Sequence, residues 1–179
     1  MKFVIAFLKK ILLVIELIIA VAVINWEKTL FIGIIALDQI SKMRVVSSMT
    51  LGESIPIIEK FFYFTYTLNP GAAFGILPNQ RVFFLLIGVA LLICFVIFYP
   101  RLNKMEKLLK FGVILGVSGS IGNLIDRIQT GYVIDFLDFK IWRAIFNIAD
   151  VAIVCGMFII FYFVAFRMDD KGKIKEARQ

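Results

Sequence analysis

The stretch VFFLLIGVALLICFVIFY, residues 82–99, decides how the rest of the chain is read. It carries no charge and comes close to the roughly 20 apolar residues that cross a bilayer core as one helix. Two more runs of this kind follow. Residues 111–125 are apolar or small, with Gly112, Gly116, Gly119 and Gly122 spaced every third or fourth position, which lets helices approach closely in lipid. Residues 151–166 are uncharged, and the run lengthens if 144–148 joins it. A fourth span is expected over 29–46. It contains Asp38 and Lys42, which at i,i+4 share a helix face and can pair. Charges inside a span are costly, so they should face the bundle interior or the water boundary, where a plain structural ion pair is the simplest alternative.

The whole composition agrees with this pattern. Of 179 residues, 61% are hydrophobic and 18% charged, against about 45–50% apolar in soluble domains. The chain therefore reads as one compact integral membrane domain. Its net charge of +7 gathers in short loops and at the C-terminus. That distribution speaks for membrane orientation and against nucleic acid, since no basic stripe interleaves with exposed aromatics.

Arg101, Lys104, Lys107 and Lys110 follow the 82–99 run, and Arg167, Lys171, Lys173, Lys175 and Arg178 follow the last one. Both segments should be cytoplasmic. With spans over 29–46, 82–99, 111–128 and 147–166, residues 47–81 and 129–146 lie outside. In the first of these, EKFFYFTYTLN alternates aromatic and β-branched residues, which predicts strands, with an interfacial aromatic belt as the alternative. The apolar segment 1–25, interrupted by Lys9, Lys10 and Glu16, reads as an extra span, an interfacial helix or a signal-like extension. Residues 26–168 form the membrane domain and 169–179 a basic tail.

There is no histidine, and both cysteines, Cys94 and Cys155, lie in apolar runs as small hydrophobes. Histidine-dependent triads and the usual zinc sites are thereby excluded. What remains is carboxylate chemistry. GNLIDRIQTGYVIDFLDFKIWRAIFNIAD, residues 122–150, holds Asp126, Asp135, Asp138 and Asp150 near the outer surface. Two close carboxylates cannot both ionise easily, so one serves as base toward water and the other as acid, with neither metal nor cofactor. Asp126 sits beside Arg127 and reads as an orienting group, and Asp150 would also suit a helix N-terminus. The physics leaves Asp135 and Asp138 as equal candidates. Buried carboxylates also fit a proton- or ion-conducting membrane protein.

Five blocks occur in one order: DQISK (38–42), NPGAAFG (69–75), GSIGNLIDR (119–127), GYVIDFLDF (131–139) and FNIAD (146–150). In these blocks the chain resembles the bacterial lipoprotein signal peptidases (type II signal peptidases), over about residues 26–166. The resemblance implies four transmembrane helices, a small extracytoplasmic β-cradle and a short helix over the active site. It implies an aspartyl endopeptidase of the cytoplasmic membrane that removes the signal peptide from prolipoproteins just before the diacylglyceryl-modified cysteine. By the family's motifs, Asp135 and Asp150 are the catalytic pair. Asp38, Lys42, Asn69, Gly71, Asn123, Asp126, Arg127, Asp138 and Asn147 support the site or hold substrate. Lipid-modified prolipoproteins, membrane lipids and the family's cyclic-peptide inhibitors are the implied partners. No cofactor and no metal are implied, and a monomer suffices. The chain departs from the family in the extension before Trp26, in Ser118 where a glycine is usual, and in a short separation of Asp135 and Asp150, which implies a trimmed outer loop.

Overall fold

The structure, a computed structural model, describes residues 25–71, 80–102 and 104–167. The expectations for 1–24, for 72–75 of the NPGAAFG block and for 168–179 lie outside these residues. Four long helices and four strands follow in the order α1 (Trp26–Ser48), β1 (Ser54–Ile58), β2 (Phe62–Asn69), α2 (Arg81–Leu102), α3 (Lys107–Gln129), β3 (Val133–Phe139), β4 (Ile145–Phe146) and α4 (Ile148–Tyr162). A π-helical turn, Phe163–Arg167, continues α4.

Three of these helices are long and apolar enough to cross a membrane: Arg81–Leu102, Lys107–Gln129 and Ile148–Phe166, with mean hydropathies of 3.1, 1.6 and 2.4. The chain is thus a multi-pass membrane protein. α1 packs with them at similar length but carries Glu27, Lys28, Asp38, Lys42 and Arg44. α2 buries almost none of its surface; Phe83, Leu86, Val89, Ile93, Val96 and Ile97 all point outward. In water that face would be an aggregation hazard, and in lipid it is the expected surface.

The small residues of α3 do what their spacing predicts. A Cβ on Gly156 of α4 would fall 2.6 Å from the Gly112 carbonyl and 2.7 Å from the Gly116 nitrogen, so the two backbones nearly touch. A Cβ on Gly119 would collide with the Ala149 carbonyl. Ser118, fully buried, bonds back to the carbonyls of Ile114 (2.6 Å) and Leu115 (3.1 Å) and leaves the packing undisturbed.

The four strands form one antiparallel sheet in the order β1-β2-β3-β4. The strands expected in 47–81 are β1 and β2. The 129–146 segment, expected as a loop, instead holds β3 and β4, and Ala144–Phe146 belong to the sheet side rather than to the helix. Asn147 ends that segment by capping α4. Its side chain accepts from the Asp150 amide while the Asp150 side chain accepts from the Asn147 amide, a reciprocal cap that stops the helix from extending backward. The short Asp135–Asp150 separation is taken up by a tight turn at 140–144, where Trp142 N–H donates to the Phe139 carbonyl at 2.8 Å. The short helix implied over the site has no counterpart among the described residues.

The sheet covers one end of the bundle. Phe136 of β3 packs on Val45 and Met49 at the end of α1, with Phe64, Tyr66, Leu137 and Ile148 around them. At the same end Arg81, opening α2, donates to the last carbonyls of α3, Arg127 at 3.0 Å and Ile128 at 3.0 Å. At the opposite end Lys110 pairs with Glu27 at 2.9 Å.

Candidate active site

Beneath the sheet, α1, α3 and α4 meet around a buried charge network. The expected Asp38–Lys42 pair forms at 2.8 Å, with side chains 0% and 2% exposed. Lys42 also reaches Asp126 of α3 at 2.8 Å and the Asn123 Oδ1 at 3.0 Å. Asp38 accepts from the Ala149 amide at 2.9 Å, which ties α1 to the first turn of α4. Asp126 accepts from the Ile134 amide at 3.1 Å and so holds the start of β3. Buried charges are tolerated only when paired and hydrogen-bonded, and here every described buried side-chain polar atom has a partner. Asp38 and Lys42 therefore face the bundle interior, one of the two placements expected for charges within a span. They hold three helices and a strand in register.

Three asparagines hold the two aspartates, and two of them, Asn123 and Asn147, link the pair to this network. Each has its amide oxygen taken by a group that can only donate. Lys42 Nζ donates to Asn123. The Asp150 amide donates to Asn147 at 2.8 Å. The Gly71 amide donates to Asn69 at 2.9 Å. Each amide nitrogen must therefore face the other way. Asn123 Nδ2 donates to Asp150 Oδ1 at 2.7 Å. Asn147 Nδ2 donates to Asp135 Oδ1 at 2.6 Å and to Asn123 Oδ1 at 3.1 Å. Asn69 Nδ2 donates to Asp135 Oδ2 at 2.9 Å. Asp150 Oδ2 takes the Asn147 amide at 3.2 Å. Both aspartates thus bond the same residue, Asn147, and both are held by donors whose orientation is not free.

Asp135 is 2% exposed. Burial first, and the nearby Asp150 charge second, push its carboxyl up to about 7 against the opposing pull of Asn69, Asn147 and Lys42. A carboxyl that titrates near neutrality can hold or release a proton at working pH. Arg127 donates to the Gly71 carbonyl at 2.9 Å and lies over the Phe84 ring at 4.9 Å. It pins the end of the 69–71 turn that presents Asn69.

Three cavities open at the pair. On the Asp150 side are two apolar grooves. One, of about 340 Å³, runs between α2, α3 and α4 past Ile87, Gly88, Leu91, Leu124 and Met157. The other, of about 400 Å³, runs outside α4 past Phe61, Phe139, Trp142 and Cys155. Phe146 and Val154 line both. On the Asp135 side is a cavity of about 240 Å³ with mixed polar and apolar walls, formed by the end of β2 and the turn before β4.

The structure brings Asp38, Lys42, Asn69, Gly71, Asn123, Asp126, Arg127, Asp135, Asn147 and Asp150 into one connected group. Asp138 stands apart. It accepts from Thr65 at 2.7 Å and pairs with Lys140, which sits 4.5 Å from the Tyr63 ring centroid. Its contacts brace the sheet. Asp135 and Asp138 are three residues apart on a strand, so they project from opposite faces. Recognising VIDFLDF as a strand would have exposed that difference, and its β-branched Val133 and Ile134 with Phe136 and Phe139 were the available signal. Gln39 was missed altogether. Its amide donates to Asp38 at 3.1 Å, to Asp126 at 2.9 Å and to the Gly122 carbonyl at 3.2 Å. Only its place between Asp38 and Lys42 hinted at this.

Fold and site together define a multi-pass helical membrane protein, capped at one end by a small sheet, with a buried aspartate, Asp135, and a half-buried one, Asp150, converging on a shared asparagine. Residues 30–166 match the model of the signal peptidase (SPase) II family, and the chain belongs to that family. Relatives include a lipoprotein signal peptidase of Pelotomaculum thermopropionicum, 39% identical over 145 residues, covering 81% of this chain and 94% of the relative. Another, from Halothermothrix orenii, is 44% identical over 132 residues, covering 73% and 89%. Among solved structures, a bacterial membrane enzyme determined by the in meso method at 2.3 Å superposes with a TM-score of 0.74 at 32% identity, covering 84% of this chain and 92% of that one.

Proposed function

We propose that this protein is an aspartyl endopeptidase that removes signal peptides from diacylglyceryl-modified bacterial prolipoproteins, cutting just before the lipidated cysteine, with Asp135 and Asp150 as its catalytic pair. Family membership supports the peptidase activity, and the relatives' description as lipoprotein signal peptidases supports the substrate. The observation that carries the mechanism is the convergence of both aspartates on Asn147, with Asp135 titrating near 7.

The reaction follows from one proton shared by the pair. Asp150, ionised, takes a proton from a water as its oxygen attacks the scissile carbonyl. Asp135 gives its proton to the carbonyl oxygen, and a tetrahedral diol forms. As the diol collapses, Asp135 recovers its proton and Asp150 passes its own to the departing amine of the lipidated cysteine. Asn69, Asn123 and Asn147 keep both carboxylates aimed throughout. The apolar grooves on the Asp150 side suit the signal-peptide helix and the acyl chains, which enter laterally from the bilayer. In this reading α1 is a fourth span, the membrane is the bacterial cytoplasmic one, and the sheet lies on its extracytoplasmic side. The 26–168 region is the peptidase domain, with 1–25 and 169–179 as an added extension and a cytoplasmic tail.

The test is cleavage of a lipid-modified prolipoprotein by purified protein in lipid, with and without a cyclic-peptide inhibitor of this family. Cleavage before the lipidated cysteine that the inhibitor blocks supports the reading. Ion flux in liposomes without cleavage contradicts it.

A further inference from the structure

The cavity beside Asp135 lies against the sheet, away from the two largely apolar grooves, and its walls mix polar with apolar residues. Its walls are Thr67, Leu68, Asn69 and Pro70 of β2 and the following turn, Asp135 of β3, and Arg143, Ala144 and Ile145 leading into β4. Thr67 pairs with Asp135 across the strands, so the cavity floor is the sheet itself rather than the helices. Arg143 is exposed at its rim. Among the described residues Arg143 has no hydrogen bond and no ion pair, whereas Arg81, Arg127, Lys42, Lys110 and Lys140 are all engaged.

A substrate chain spanning the two aspartates has two unlike halves. The part before the cut is apolar and stays with the helices on the Asp150 side. The part after the cut leads to water and passes on the Asp135 side. In the peptidase reading Arg143, without a partner among the described residues, faces the residues that follow the lipidated cysteine, and a guanidinium favours a carboxylate over an ammonium.

We propose that this cavity is a subsite for the first two residues after the lipidated cysteine, and that Arg143 makes it selective for an acidic side chain. The proposal rests on the peptidase reading above and deepens it. The competing role for Arg143, with exposed Ile141 and Trp142 beside it, is an interfacial anchor to anionic headgroups.

The test uses full-length protein in nanodiscs of zwitterionic lipid, repeated with added anionic lipid, and three lipidated prolipoproteins bearing Asp, Ser or Lys directly after the cysteine. The unaltered protein should show kcat/KM in the order Asp, Ser, Lys, with steps of about threefold, as expected for a solvent-accessible ion pair. The steps should shrink in high salt. Arg143→Ala should flatten the series and Arg143→Glu should invert it. The same order in all three proteins overturns the proposal. So does loss of all cleavage in Arg143→Ala, or a uniform change across substrates that tracks the anionic lipid content of the disc. If the unaltered protein cleaves none of the three, the peptidase reading itself fails.

Discussion

Replacing Lys42 with Met keeps the volume and removes one buried charge. Lys42 Nζ lies 2.8 Å from Asp38 and 2.8 Å from Asp126. At an effective dielectric of about 20, each contact is worth roughly 6 kcal/mol of gross attraction, set against the several kcal/mol needed to bury the ammonium. The variant strands two carboxylates, where breaking an ordinary buried pair costs about 3–5 kcal/mol. We therefore expect Lys42→Met to lose at least that much in reversible SDS-induced unfolding in mixed micelles. Asp126→Asn removes one of the stranded charges. The double variant should thus be more stable than the sum of the single effects predicts, by more than about 1 kcal/mol. Additivity within about 0.5 kcal/mol, or a loss below about 1 kcal/mol for Lys42→Met, would refute the network.

Three further outcomes follow from the same geometry. Because Asp135 is raised from its ordinary 3.8 to about 7, the folded state holds that proton where the unfolded chain has lost it. Asp135's own contribution to stability should be greatest below about pH 4 and fall by roughly 4 kcal/mol as pH rises to 7, a component that Asp135→Asn should remove from unfolding curves measured across pH. Cleavage by the unaltered protein should likewise decline above about pH 7 as the acid loses its proton, measurable as kcat/KM on a neutral lipidated substrate. Gly156→Ala should cost about 1–3 kcal/mol by forcing α3 and α4 apart, whereas Gly33→Ala, with nothing within 4 Å of the added carbon, should be neutral or slightly stabilising.

Most of the helical frame was legible because lipid leaves a strong compositional mark. An uncharged run such as 82–99 has no competing interpretation, and the α3 glycines announced close packing before any partner was known. The Asp38–Lys42 pair was legible as a pair from its spacing. Its function was not, because the third member, Asp126, arrives from a helix far away in sequence. β3 escaped for a physical reason: residues on both of its faces are covered, so Val133, Asp135, Phe136 and Asp138 are all buried and no clean polar–apolar alternation survives. That gap left Asp135 and Asp138 indistinguishable by residue chemistry, and only the motif resemblance separated them. The asparagine orientations were equally hidden, since each depends on a partner, Lys42, Gly71 or Asp150, that the fold supplies.

The central claim is that Asp135 and Asp150 perform the cleavage while Asp138 braces the sheet. The most direct measurement is single-turnover cleavage of a lipidated prolipoprotein by Asp135→Asn, Asp150→Asn and Asp138→Asn proteins, each first checked for folding and membrane insertion. The account predicts a loss of at least about a thousandfold for the first two, in the range of removing a general acid or base, and measurable activity, reduced less than about tenfold, for Asp138→Asn. Normal cleavage by a folded Asp135→Asn protein, or an equal loss in all three, would contradict it.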